Sequence, residues 1–69
     1  MALAVYLVRY TAPAPPAYKG DPHQRTSRRE KFIVTDSTQS AIDYVTAQLD
    51  KDGVAYSDIH STYYKPHHP

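Results

Sequence analysis

The chain has no cysteine and no tryptophan, a single phenylalanine and only two glycines among its 69 residues. Without cysteine there is no disulfide staple, no thiolate zinc site and no cysteine nucleophile. A cysteine-free chain also fits a reducing compartment. Gly20 and Gly53 stand far apart, which excludes a glycine-rich phosphate loop. Long apolar runs are missing as well. The segment Met1 to Val8 is stopped by Arg9, too short to span a membrane as a helix and lacking the basic start of a secretory leader. It reads as a strand, and the chain as a cytoplasmic protein with no membrane association. The formal net charge of +1 is weak for a nucleic-acid binder.

What is present in excess is tyrosine, seven residues against one phenylalanine. Tyrosine tolerates a half-wet surface, so the excess points to an exposed aromatic face. The charge is also uneven. Residues 1–35 hold Arg9, Lys19, Arg25, Arg28, Arg29 and Lys31 against Asp21 and Glu30. Residues 36–69 hold Lys51 and Lys65 against Asp36, Asp43, Asp50, Asp52 and Asp58. A basic cluster from Arg25 to Lys31 is therefore set apart from an acidic half, an asymmetry that favours oriented association with a charged partner.

The segment from Leu3 to Thr11 is rich in β-branched and aromatic residues and forms a first strand. Pro13, Pro15, Pro16 and Pro22 then forbid a helix and give an extended surface connection over residues 12–28, long enough to carry function. Arg29 to Thr35 is a second strand. Ser37, with Asp36 as its rival, caps a helix whose apolar stripe is Ala41, Ile42, Val45 and Leu49, and Gly53 ends it. Val54 to Tyr64 is a third strand and residues 65–69 a tail. The expectation is one α+β domain over residues 1–69, ββαβ, with a three-stranded antiparallel sheet in the order 2-1-3 and one helix on one face.

Strand alternation then divides the side chains. Leu3, Val5, Leu7, Phe32, Val34 and Ile59 are assigned to the helix side. The open face receives Tyr6, Val8, Tyr10, Arg29, Lys31, Ile33, Tyr56, Asp58, His60, Thr62 and Tyr64. A face of that content can take a second copy of the chain, another protein, or the bases of a single-stranded nucleic acid. The partner-binding residues expected are Tyr6, Tyr10, Tyr18, Arg25, Arg28, Arg29, Lys31, Tyr56, His60 and Tyr64. Arginine forks at 25, 28 and 29 suit bidentate contacts to carboxylates or phosphates, while charges on an edge strand also discourage aggregation.

Catalytic and metal readings are weaker on the same residues. Ser57, Asp58, His60 and Ser61 lie close in sequence, but alternation sends both serines to the face opposite Asp58 and His60, so no local triad forms. Asp58, His60, His67 and His68 supply ligand atoms with nothing to fix their second shell; His23 stands alone in the loop. No catalytic residue, metal or cofactor is expected, and the aspartates of the helix read as a solvated surface.

The succession of strand, long basic connection, strand, Asp36-Ser37-x-x-x-Ala41-Ile42-x-x-Val45 and last strand, covering Leu3 to Tyr64, resembles small accessory proteins of bacteriophages. The resemblance implies a host-modulating or anti-defence protein that binds a larger host protein or complex, acting in the bacterial cytoplasm. The function expected is thus a small non-catalytic protein-binding module, an inhibitor or modulator that can also be a homodimer. The alternative is a single-stranded nucleic-acid binder using a tyrosine face and the Arg/Lys cluster.

Overall fold

The computed structural model describes residues 2–67; His68 and Pro69, part of the expected tail, lie outside the described residues. The elements are β1 (Ala4–Pro13), β2 (Thr26–Thr35), α1 (Thr38–Lys51) and β3 (Ser57–Pro66). β1 is the middle strand, antiparallel to both neighbours, in the order β2-β1-β3, so the expected ββαβ architecture is the observed one.

The helix boundaries follow from local chemistry. Ser37 is extended and its side chain accepts a hydrogen bond from the Ser40 N–H at 3.1 Å, satisfying a first-turn donor. At the other end the Gly53 N–H donates to the Asp50 carbonyl and the Val54 N–H to the Leu49 carbonyl. That pair of bonds is a Schellman closure, which needs a left-handed residue at Gly53, where φ is +70°. Val54 packs back onto the core beside it. Ala41, Val45 and Leu49 are buried at i, i+4 and i+8.

The sheet uses the opposite face from the one expected. Val8, Tyr10 and Ala12 of β1 form the core with Ala41, Val45 and Leu49, and Tyr6, Ile33, Val54, Tyr56 and Ile59 pack against it. Tyr10 is 3% exposed and Val8 0%, while Leu3, Phe32 and Val34 are about half exposed or more. The assignments of Leu3, Val5, Leu7, Phe32 and Val34 to the helix side, and of Tyr6, Val8, Tyr10, Ile33 and Tyr56 to the open side, are therefore reversed; Ile59 is where it was expected. The physical reason lies in the length of the strand. The odd-numbered residues of β1 turn polar at Arg9 and Thr11, whereas Ala4, Tyr6, Val8, Tyr10 and Ala12 stay apolar along the whole strand. A helix with alanine and valine at its contact positions also leaves room for tyrosine rings opposite.

β1 and β2 pair without interruption from Ala4↔Thr35 to Pro13↔Thr26. The ladder continues one step further, with the Ala14 N–H donating to the Arg25 carbonyl at 2.8 Å. Hydrogen-bonded and non-bonded pairs alternate in an antiparallel ladder. Counting back from Ala14/Arg25, Pro13 falls on a non-bonded pair, and β3 pairs with β1 only as far as Thr11. Among the described residues no partner asks for the N–H that proline lacks. The strands thus run deeper into the expected 12–28 connection, leaving a loop over residues 14–25. The same counting directs the N–H and C=O groups of Arg28, Glu30, Phe32 and Val34 away from β1, toward the open edge.

β3 is less regular. Its pairing with β1 shifts between Val5/Tyr6 and between Arg9/Thr11, each time with an extra residue on β3. Asp58, at the second shift, has φ +53°. Lys65 and Pro66, assigned to the tail, belong to this strand. The hairpin of β1 and β2 makes the molecule long, 49 Å against 20 Å in the other two directions. Its radius of gyration is 14.4 Å, where a compact chain of this length has about 11 Å.

Two valines of the sheet test the reversed face. Val8→Ala, at the fully buried position, is expected to lower unfolding stability by about 2 kcal/mol through lost methyl burial and the cavity left. Val34→Ala, on the open face, is expected to cost about 0.5 kcal/mol or less. Urea denaturation of the two variants gives the comparison directly.

Candidate protein-binding surface

The odd-numbered residues of β1 and the even-numbered residues of β2 share the face that α1 leaves bare. Pairing sets Val5 beside Val34, Leu7 beside Phe32, Arg9 beside Glu30 and Thr11 beside Arg28. β3 adds Thr62 opposite Leu7, His60 opposite Arg9 and Lys65 opposite Val5. The extra residue at the first shift is Tyr64. Its ring meets Phe32 from the far side of the sheet, centroids 4.9 Å apart and planes at 61°, an edge-on arrangement favourable for aromatic pairs. The two rings thus meet above the central strand, over the half-buried Val5 and Leu7. Both remain more than half exposed themselves, Phe32 at 58% and Tyr64 at 54%.

This face is graded along its length. Leu3, Val5, Leu7, Phe32, Val34 and Tyr64 make its apolar end, and the Lys65 ammonium lies 5.9 Å from the Tyr64 ring centroid. Toward the hairpin tip it becomes polar. Arg9 Nε donates to Glu30 Oε2 at 3.0 Å, and Arg28 Nη1 donates to Thr11 Oγ1 at 3.1 Å. An apolar centre with a hydrogen-bonding margin is the anatomy of a protein interface.

The residues expected to bind a partner are scattered by the fold. His60, Tyr64 and Arg28 share the open face. Tyr6, Tyr10 and Tyr56 belong to the core side, so the four-tyrosine face does not exist; Tyr6 instead stands edge-on to Tyr63, 5.9 Å between centroids. Arg29 and Lys31 pair with Tyr10 and Val8 and so lie on the helix side, where Arg29 Nη2 donates to the Pro13 carbonyl at 3.3 Å. Tyr18 and Arg25 are in the loop at the hairpin tip. Val5, Leu7, Phe32 and Val34 are contact residues that alternation does not identify. The signal is Phe32 itself, the one phenylalanine, directly after the charged run from Arg28 to Lys31.

The second shift also corrects the triad argument. It brings Ser57 opposite Thr11, onto the same face as His60, and leaves only Ser61 on the other side. The His60 ring reaches the backbone carbonyl of Asp58 at 3.4 Å, not its carboxylate. Among the described residues, no three His, Cys, Asp or Glu side chains come together as a metal-binding group, and no helix is long and apolar enough to cross a membrane.

The loop over residues 14–25 is organised by a residue the sequence did not single out. Asp21 accepts hydrogen bonds from the His23 N–H at 3.0 Å and the Ala17 N–H at 3.2 Å, and an ion pair from Arg25 Nη1 at 2.6 Å. Its side-chain atoms are covered by the loop while the Arg25 side chain remains half exposed. The turn from Tyr18 to Asp21 closes with the Asp21 N–H on the Tyr18 carbonyl, and Gly20 at its third position has φ +85°, as a type II turn requires. Arg25 is thereby committed to the loop, and Tyr18, 59% exposed, is held out at its tip.

The His23 backbone bond, with Arg25 and the Ala17 N–H adding to it against the opposing effect of burial, holds the Asp21 carboxyl below its ordinary range. A lowered carboxylate stabilises the ordered loop above its ordinary pKa, and that contribution fades as pH falls through the depressed value. Amide hydrogen exchange is expected to show Ala17 and His23 protected at near-neutral pH and opening only below the ordinary carboxylate range. Asp21→Ala is expected to lose that protection at every pH while leaving the Val45 and Leu49 amides protected.

No known protein family, curated protein or solved structure matches this chain.

Proposed function

We propose that the chain is a small non-catalytic module that binds a larger protein in the cytoplasm, as an inhibitor or modulator, with the bare face of the sheet as its contact surface. The observation that carries this reading is the Phe32–Tyr64 ring pair over Val5 and Leu7, two half-exposed aromatic residues at the centre of an apolar patch. Large aromatic anchors ringed by polar groups are where binding energy concentrates. Arg28 and Lys65 on the same face favour a partner whose matching patch is apolar with carboxylates at its margin. The bacteriophage resemblance would make that partner a host protein or defence complex. Single-stranded nucleic acid is the weaker reading, because stacking needs exposed rings and Tyr6, Tyr10 and Tyr56 are engaged at the core.

Photo-crosslinking from position 64, with position 39 on the helix as control, tests this in cell lysate with and without nuclease. The expected outcome is one protein crosslinked from position 64 alone, unaffected by nuclease. Tyr64→Glu is expected to weaken capture of that protein, recovered by affinity tag, at least tenfold. Material that disappears with nuclease, or a crosslink equally strong from position 39, overturns the reading.

A further inference from the structure

The two outer strands of the sheet differ in a way that the bare face does not account for. β3 is broken by two shifts of register, carries Asp58 at positive φ and ends in Pro66. These are the devices that keep a sheet edge from pairing. β2 has no shift of register, no positive φ and no proline, and its one safeguard is the run of charges from Arg28 to Lys31. It is ten residues long, in unbroken register with β1, without proline or glycine. Its outward N–H and C=O groups, at Arg28, Glu30, Phe32 and Val34, find no backbone partner among the described residues. A groove lined by Phe32, Ile33, Val34, Thr35, Ser40 and Tyr44 runs beside this edge under the helix.

We propose that β2 is the dimerisation edge of this protein, pairing antiparallel with β2 of a second copy about a two-fold axis at Phe32. The charges of the strand select both the occupant and the register. A two-fold axis perpendicular to the sheet keeps each face continuous, so only residues of like parity stand opposite one another. Axes at Arg28, Arg29, Glu30 or Lys31 set a charge against its own copy, which is destabilising. An axis at Ile33 sets Glu30 against the partner's Asp36, again a like pair, and one at Val34 leaves a short ladder. An axis at Phe32 avoids all of these.

In that register Phe32 faces the partner's Phe32, and Arg28 faces the partner's Asp36, the residue that follows β2. Glu30 faces the partner's Val34 and Lys31 the partner's Ile33, so no like charges stand directly opposite across the edge, and the two Lys31 residues meet only on the diagonal. The pairs at 32/32, 30/34 and 34/30 are the ones whose N–H and C=O groups point outward, so the backbone bonding and the charge pattern agree. On the helix side the partner's Lys31 and Arg29 arrive beside Ile33 and Thr35. That brings their aliphatic stems into the groove and their cations toward the exposed ring of Tyr44. Arg29 and Lys31, which the fold turns away from the bare face, acquire a use there. The six-stranded sheet that results carries two copies of the Phe32–Tyr64 patch side by side.

Sedimentation velocity across a concentration series, on the full chain, tests the proposal. The wild-type chain is expected to be a dimer at tens of micromolar. Arg28→Asp and Asp36→Arg are each expected to raise the dissociation constant about tenfold, since each makes two like-charge contacts per dimer. The double variant R28D/D36R is expected to return to the wild-type value. Within one chain the two positions are eight residues apart along β2 and the residue after it, about 26 Å at 3.3 Å per residue, so a rescue reports contact between copies. Circular dichroism of the three variants is expected to match wild type, because both side chains lie outside the core. A wild-type chain that stays monomeric to several hundred micromolar overturns the proposal. A dimer in which the double variant is no better than the single ones equally overturns it.

Discussion

The structure depends on one seam, the small stripe Ala41, Val45 and Leu49 of α1 laid on Val8, Tyr10 and Ala12 of β1. Among the described residues, every buried one but Ala4 lies along it. Because β1 is the middle strand, the seam ties the helix to the strand that both neighbours bond, and Ile33 of β2 and Ile59 of β3 pack in from either side. Its largest fully buried side chains are valines, so the core is thin for its length, as small domains must expect.

A thin seam has a consequence for the other side of the sheet. Once the helix has claimed Tyr6, Val8 and Tyr10, the aliphatic residues Leu3, Val5 and Leu7 are left on the bare face, with Phe32 and Val34 beside them. Phe32 and Tyr64 close over this patch only in part, each keeping more than half its surface in water. The sheet is therefore not amphipathic in the usual sense of one apolar and one polar face. Both faces are largely apolar near the start of β1, with Lys65 and Thr62 at the β3 margin of the bare one, and polarity grows toward the hairpin tip through Arg9–Glu30 and Arg28–Thr11.

The hairpin tip solves a different problem with different means. Proline-rich connections have few donors to order themselves, yet this loop is held by one carboxylate that gathers two backbone N–H groups and a guanidinium. The order there is electrostatic and local, and it owes nothing to the seam. A loop ordered in advance binds with less loss of conformational freedom than a slack one, and Tyr18 is the side chain it presents.

The sequence by itself determined the elements, their order and the helix ends. The reasons are local: Ser37 caps because its side chain reaches a first-turn N–H, Gly53 stops the helix because it takes positive φ without cost, and Ala41, Val45 and Leu49 recur at the helical period. Tertiary structure decided which face of the sheet is inside. In β1 both parities are apolar up to Val8, so alternation gives two answers, and only the fit of the rings against alanine and valine across the full strand separates them. It also decided the fate of β3, where one extra residue at each of two places moves Ser57 and Lys65 to the bare face. No pattern of side chains announces such an insertion, because it is a matter of which backbone groups of β3 bond to β1. Asp21 carries no sequence signal for a related reason: two of its three partners are backbone N–H groups, which every residue but proline has, and only the path of the chain brings them to it.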